Sequence, residues 1–212
     1  MKDYIKKFTD QIEEAIKIGN NFDYKNTFEY KNVVICGLGG SGIGGSILKD
    51  VVKDELKAPI ELVKDYSIPN YISTETLVIC SSYSGNTEET ISAMKKCHER
   101  DAKIFTISSE GFIEKFSTEN NIPHIKIPSG SPPRAMFAYS FIQLFFILYK
   151  NNLISNKFLQ NLENTIENLK KNSENIIHAA KTAADKMHKT TAIIYCCDGY
   201  EGLAIRFRQQ LN

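Results

Sequence analysis

The chain of 212 residues has little of several features that would point to particular classes of protein. Its formal net charge is only +1, so no bulk attraction to nucleic acid or to a membrane surface is expected, and any basic site must be local. Tryptophan is absent, which excludes no class, and the five cysteines lack the paired spacing of a disulfide framework. The longest apolar run, Phe141 to Tyr149, is far shorter than the roughly 20 residues that span a bilayer. No signal-peptide core follows Met1, so we expect a cytoplasmic, reducing location.

The composition is otherwise that of a globular protein, with 42% hydrophobic and 24% charged residues. After a helix-like stretch at Asp3 to Ile18, short apolar runs alternate with helix-like runs. Strands are predicted at Asn32–Cys36, Ile60–Val63, Leu77–Cys80, Lys103–Ile107 and His124–Ile127. Helices are predicted at Gly42–Val52, Thr87–Glu99, Glu110–Ser117 and Arg134–Tyr149. This alternation predicts an α/β protein, a three-layer αβα sandwich around a parallel sheet.

The C-terminal part has a different pattern. A polar stretch at Ser155–Lys189 predicts one helix or two, and a strand pattern at Thr191–Cys196 precedes a helix-like run at Leu203–Leu211. A lone strand–turn–helix unit cannot bury a sheet of its own, so it either joins the first sheet or begins a second domain. We predict a first domain over residues 1–152, then linker helices and an incomplete second domain over residues 153–212.

A glycine-rich loop, GLGGSGIGG at Gly37 to Gly45, follows the first strand. Glycines permit a tight turn and a close approach to a ligand, and the helix that starts near Ser41 directs unpaired N–H groups and its positive dipole end into the loop. These features favour an anion site. The alternative is that the glycines only permit close packing of the strand and the helix.

The same glycines, Gly37, Gly39 and Gly42, also fit the G-x-G-x-x-G dinucleotide fingerprint. That fingerprint requires an acid about 20 residues further on, and Glu61 or Asp65 could serve. A dinucleotide site therefore remains open at this point. No Gly-Lys-Ser/Thr ending follows, so the P-loop pattern fails.

A second loop, SSYSGNTEE at Ser81 to Glu89, follows the third strand. Ser82, Ser84 and Thr87 place three hydroxyls within one turn of a helix start, where hydroxyls and exposed N–H groups can hold phosphate oxygens. The alternative is helix capping, with Ser84 or Asn86 as the N-cap and two acids in the first turn. Both loops lie at carboxyl ends of strands, where open α/β sheets bind ligands.

Together these loops resemble the sugar isomerase domain, a flavodoxin-like fold that binds phosphosugars. Two further motifs, SPPRA at Ser131 to Ala135 and GLAIR…QLN at Gly202 to Asn212, narrow the resemblance to the bifunctional phosphoglucose/phosphomannose isomerases. The resemblance covers the whole chain. Members of that family carry two such domains in tandem, so the resemblance implies that this chain holds the first domain and the opening of the second.

The resemblance implies a role for six residues. Ser82, Ser84 and Thr87 match the phosphate-binding hydroxyls, and Arg134 matches an arginine over the reacting carbons, where a fixed positive charge stabilises an enediolate. The expected substrate-binding residues are Gly40, Ser41, Ser82, Ser84, Thr87 and Arg134. Arg134 is also the expected catalytic residue.

The activity implied by the resemblance interconverts glucose 6-phosphate or mannose 6-phosphate with fructose 6-phosphate through an enediol. In the family, the glutamate that moves the proton directly follows the motif ending at Asn212, and the histidine comes later. This chain is therefore expected to be an inactive N-terminal portion of a homodimeric enzyme. The alternative is a non-catalytic phosphosugar-binding regulatory module.

Other titratable residues are given structural roles. Glu88, Glu89 and Glu201 are interpreted as first-turn acids of helices. None of the four histidines has a partner at metal-ligand spacing on an apolar face, so neither a metal nor another cofactor is expected.

Overall fold

A five-stranded parallel sheet forms the centre of the computed structural model, which describes residues 2–211. The strands are β1 (Asn32–Cys36), β2 (Ile60–Val63), β3 (Thr76–Ser81), β4 (Lys103–Ser108) and β5 (His124–Lys126). They lie in the order β2-β1-β3-β4-β5. All four neighbouring pairs are parallel. Each strand predicted between residues 32 and 127 is confirmed to within one residue at each end. The central strands β1, β3 and β4 are apolar runs buried on both sheet faces, whereas the edge strands β2 and β5 are partly exposed.

Nine α-helices accompany the sheet within the described residues. The helices are α1 (Lys2–Lys6), α2 (Phe8–Asn21), α3 (Gly39–Val52), α4 (Glu88–His98), α5 (Phe112–Glu119), α6 (Phe137–Lys150), α7 (Lys157–Lys171), α8 (Ser173–Met187) and α9 (Glu201–Leu211). The polar stretch after residue 155 thus forms two helices, divided at Asn172.

The two faces of the sheet are covered by different helices. Side chains alternate along β1, so that Val33 and Ile35 enter one apolar cluster while Val34 and Cys36 enter the other. The first cluster includes buried residues of α2, α3 and α6. The second includes buried residues of α4 and α5. This confirms the predicted three-layer αβα sandwich.

Helix α6 is the most deeply buried helix on the first face. Ten of its 14 residues are buried, and Gln143 donates a hydrogen bond from Nε2 to the Ala15 carbonyl of α2 at 2.9 Å. The helix begins at Phe137 rather than at Arg134, because a 3₁₀ turn at Pro133–Ala135 precedes it. Its apolar surface is thus accounted for by the core of this chain. No helix within residues 2–211 is both long and apolar enough to cross a membrane.

The last three helices differ in how they pack. On α7, Phe158 is buried against Phe145 and Phe146 of α6, with ring centroids 5.5 and 5.2 Å away. Helix α8 contributes no buried residue. Helix α9 packs against α3, where a Cβ on Gly202 would lie 2.9 Å from a side-chain atom of Ile47.

The strand predicted at Thr191–Cys196 is wrong for this structure. Residues 191–197 adopt no regular secondary structure, and Ile193 and Tyr195 expose 71% and 88% of their surface. The apolar alternation is present, but a strand also needs a neighbouring strand to pair its N–H and C=O groups. The described part of the chain places none beside this segment.

Candidate functional site

The sheet order brings the two loops together. Strands β1 and β3 are neighbours in register, with Cys36 opposite Cys80, so their carboxyl ends lie side by side. The chain continues from β1 to β2 on one side of this pair and from β3 to β4 on the other. The order of the strands therefore reverses between β1 and β3, which is the position where open α/β sheets bind ligands.

The glycine loop, residues 37–45, turns sharply into α3. The Leu38 carbonyl accepts hydrogen bonds from the N–H groups of Ser41 and Gly42, both at 3.2 Å, which closes the first helical turn. Helix α3 therefore begins at Gly39, three residues before the start predicted from sequence. A Cβ on Gly42 would lie 2.4 Å from the Gly37 carbonyl oxygen, so this close approach requires glycine.

The hydroxyl loop, residues 81–89, is organised by its own side chains. Ser82 is 2% exposed, and its hydroxyl lies 2.8 Å from the hydroxyl of Thr87. Ser84 is exposed and accepts a hydrogen bond from the Asn86 N–H at 3.3 Å, which stabilises the turn. The structure thus brings two of the three predicted hydroxyls together, whereas Ser84 serves the turn beside them.

The prediction of Ser84 or Asn86 as the N-cap of α4 is wrong. The N-cap is Thr87, which makes no side-chain capping bond, rather than Ser84 or Asn86. The Asn86 Oδ1 atom instead accepts a hydrogen bond from the Phe112 N–H at the start of α5, at 2.9 Å. Capping therefore does not use the hydroxyls of Ser82 and Thr87, and they remain directed at each other.

Tyr83 joins the two loops and a third segment. Its N–H donates to the Ser41 hydroxyl at 3.3 Å, and its own hydroxyl accepts from the Ser131 N–H at 3.2 Å. Its carbonyl accepts from the Ser109 hydroxyl at 2.6 Å. Sequence reasoning gave Tyr83 no role, although it lies in the middle of the SSYSGNTEE motif. Its contacts place the segment that leads to Arg134 beside both loops.

Arg134 lies in the 3₁₀ turn before α6 and has an exposed side chain. The Arg206 guanidinium, which extends from α9, donates from Nη2 to the Arg134 carbonyl at 2.9 Å. It also lies over the Phe137 ring, with 4.7 Å from Cζ to the ring centroid. Burial lowers the pKa of Arg206, and the positive charge of Arg134 lowers it further.

Gly40 completes the arrangement around Arg206. A Cβ built on Gly40 would have Arg206 Nη1 as its nearest neighbour, at 4.0 Å. The predicted residues Gly40, Ser41, Ser82, Thr87 and Arg134 thus belong to loops and turns that contact one another directly or through Tyr83 and Arg206.

Several acids and histidines that were not predicted as phosphosugar-binding residues make contacts away from the two loops and Arg134. Glu61, one candidate acid of a dinucleotide site, accepts the Tyr71 hydroxyl at 2.6 Å. His124 pairs through Nδ1 with the Thr106 hydroxyl at 2.9 Å, and His98 lies edge-on to Phe116. Glu201 opens α9 as a first-turn acid. In residues 2–211, no group of three or more potential ligands is placed to hold a metal ion.

The fold is that of a sugar isomerase domain. Over 98% of this chain and 65% of the other, it matches the C-terminal domain of glucosamine-fructose-6-phosphate aminotransferase from Francisella tularensis, with a TM-score of 0.69 at 17% sequence identity. At that identity the likeness establishes the architecture alone. No protein-family model matches the sequence.

Sequence relatives identify the family. Over 146 residues, 68% of the chain, it is 44% identical to a bifunctional phosphoglucose/phosphomannose isomerase from Caldicellulosiruptor bescii. Over 95% of the chain, it is 33% identical to a protein of the same name from Aquifex aeolicus. The chain belongs to the family of these isomerases over the part of them that it spans, which is 43% and 63% of their respective lengths.

Proposed function

We propose that this chain provides the phosphosugar-binding half of an aldose–ketose isomerase that interconverts glucose 6-phosphate or mannose 6-phosphate with fructose 6-phosphate through an enediol. The observation that carries the proposal is the pairing of the glycine loop and the hydroxyl loop at the reversal point of the sheet, joined by the Tyr83–Ser41 contact. The family of the chain and the chemistry of the loops both favour a phosphorylated hexose as ligand.

In this proposal, the phosphate is held by the Ser82, Ser84 and Thr87 hydroxyls and by the N–H groups that begin α4. Gly40 and Ser41 contact the sugar from the opposite loop. The Arg134 guanidinium lies over C1 and C2, where negative charge develops as the proton is transferred, and a fixed cation there lowers the barrier. We assign neither the carboxylate base nor the histidine that assists ring opening to a residue of this chain. We propose residues 153–212 as linker helices and the incomplete start of a second domain.

The proposal is tested by thermal unfolding of the 212-residue chain with fructose 6-phosphate or NAD, because a ligand that binds only the folded state raises the Tm. Stabilisation by fructose 6-phosphate and not by NAD is expected. Stabilisation by NAD alone would establish the dinucleotide interpretation instead. A coupled isomerase assay of the full-length gene product then separates an enzyme from a regulatory module, since a module would bind the phosphosugar without turnover.

We further propose a homodimer in the cytoplasm. Free cysteines favour a reducing compartment, and Cys36, Cys80 and Cys97 are buried unpaired. Sedimentation equilibrium on the full-length gene product tests the dimer, and a monomer at micromolar concentration would exclude it. Cell fractionation tests the location, and recovery from a secreted fraction would exclude the cytoplasm.

A further inference from the structure

Arg206 has no assigned role in the binding scheme, yet its guanidinium lies between three parts of the site. Its contacts reach the carbonyl of Arg134, the ring of Phe137 and the space above Gly40. Arg206 lies on α9, and it follows Arg134 by 72 residues along the chain. Such a long-range contact to a substrate-binding segment suggests a role in shaping the site.

The nitrogen atoms of the Arg206 guanidinium have different surroundings. Nη2 donates to the Arg134 carbonyl at 2.9 Å. When the Gln210 amide is oriented with its oxygen toward the guanidinium, that oxygen accepts from Nε at 3.2 Å and from Nη2 at 2.6 Å. Within residues 2–211, no hydrogen bond uses Nη1, which is the atom nearest to Gly40. One edge of the guanidinium therefore anchors the residue, and the other faces the glycine loop.

The charge of Arg206 also lacks an acidic partner in the described part of the chain. The three ion pairs among residues 2–211 lie elsewhere and do not include it. An anion close to this half-buried guanidinium would offset part of the cost of burying its charge. The start of α3, with its unpaired N–H groups, is on the same side of the site and favours an anion as well.

We propose that Arg206 is a positioning residue of the phosphosugar site, which holds the Arg134 turn against the glycine loop and directs Nη1 toward the charge that develops on the substrate. The inference rests on the proposed function. Its chemical consequence is selectivity, because a contact aimed at the enediolate stabilises that charge more than it stabilises the neutral sugar end of the ground state. Arg206 would thus act on the reacting carbons in two ways, by holding the Arg134 turn in place and through its own Nη1 donor.

The test compares two ligands by calorimetric titration of the 212-residue chain. Fructose 6-phosphate represents the ground state, and 5-phospho-D-arabinonate carries a planar carboxylate in place of the enediolate oxygens. We expect Arg206→Ala to lower the affinity for 5-phospho-D-arabinonate about 10- to 100-fold, as for loss of a hydrogen bond to a charged group. The affinity for fructose 6-phosphate should fall by less than about 3-fold, because its phosphate is held by the hydroxyl loop.

Two matched variants accompany Arg206→Ala. Arg208→Ala removes the same charge from an exposed position on the same helix and should leave both affinities unchanged. Arg206→Lys keeps the charge without the planar fork and should restore part of the arabinonate affinity. Equal weakening of both ligands by Arg206→Ala, or no weakening at all, would overturn the inference.

A second measurement needs no ligand. The Ala135 and Met136 N–H groups are hydrogen-bonded within the 3₁₀ turn, to the carbonyls of Pro132 and Pro133. If Arg206 holds this turn, their hydrogen exchange should accelerate at least about 10-fold in Arg206→Ala and stay unchanged in Arg208→Ala. Unchanged exchange in Arg206→Ala overturns the inference. If the wild-type chain binds neither sugar ligand, the proposed function fails, and this measurement still decides the positioning role.

Discussion

The hydroxyl oxygens of Ser82 and Thr87 lie 2.8 Å apart across the turn that precedes α4, and either can be the donor. Ser82 is 2% exposed, whereas Thr87 is half-buried and thus accessible to a ligand. In such a pair, one hydroxyl proton is used between the two oxygens and the other stays available to a third oxygen. The pair can therefore hold its own geometry and still present one O–H donor to a phosphate.

The first prediction concerns this pair. Ser82→Ala removes the partner that orients the Thr87 hydroxyl, so the affinity for fructose 6-phosphate should fall about 10-fold or more, as for a hydrogen bond to a charged acceptor. Thr165→Ala on α7 is the control, because its exposed hydroxyl donates to the Asn161 carbonyl of the same helix, at 2.7 Å. Titration calorimetry measures both. An affinity that is the same in Ser82→Ala and in the wild type would remove Ser82 from the phosphate site.

The second prediction concerns the glycine of the hydroxyl loop. Gly85 has a φ of +68°, and a Cβ there would lie 1.7 Å from the Glu110 carbonyl oxygen. Gly85→Ala should therefore lower the free energy of unfolding by about 3 kcal/mol or more, since backbone atoms must move to relieve the collision.

The control for Gly85 is Gly130, which has a φ of +80° and nothing within 4 Å of a built Cβ. Gly130→Ala carries only the cost of the left-handed conformation, which is about 1 kcal/mol. Urea unfolding of both variants separates the cost of the left-handed conformation from the cost of the collision with Glu110. Equal losses would show that the loop adapts to the added methyl group and that the contact with Glu110 is not a constraint.

The sequence predicted the sheet more completely than it predicted the site. The strands are short apolar runs whose burial is decided locally, and the helices between them follow from periodicity. The motif residues Ser82 and Thr87 were predicted as ligand groups, but their pairing depends on the fold of the turn. The contacts of Tyr83 and Arg206 join segments that are far apart in the chain, and no local pattern reports such contacts.

The third prediction concerns the two helices that follow residue 155. Phe158→Ala on α7 should lower the free energy of unfolding by about 3–5 kcal/mol, because the ring is buried against two phenylalanines of α6 and its loss leaves a cavity. Ile177→Ala on α8 should have an effect within about 0.5 kcal/mol, because the side chain is 63% exposed. Urea unfolding of the 212-residue chain measures both. A loss of similar size for Ile177→Ala would mean that α8 packs against the domain in solution.

The fourth prediction concerns pH and His124, which begins β5. Burial lowers the pKa of His124, and the neighbouring Glu114 carboxylate opposes this while the Lys126 ammonium adds to it. Its Nδ1 atom pairs with the Thr106 hydroxyl at 2.9 Å, and its Nε2 atom is buried without a partner in the described residues. The folded state thus favours the neutral ring.

The sign of the effect follows from proton linkage. The unfolded chain binds a proton on His124 near pH 6.5, whereas the folded chain binds it only at lower pH. Protonation of His124 therefore does not reduce the free energy of unfolding above about pH 6.5, and it lowers this free energy as the pH decreases below that value. His124→Gln should flatten the slope of unfolding free energy against pH in this window, and His178→Gln, at an exposed position on α8, should not. Urea unfolding at about pH 5.5, 6.5 and 7.5 measures the slopes. Parallel curves for His124→Gln and the wild type would mean that the folded state tolerates the protonated ring, and the acid sensitivity of the fold would then lie with its carboxylates.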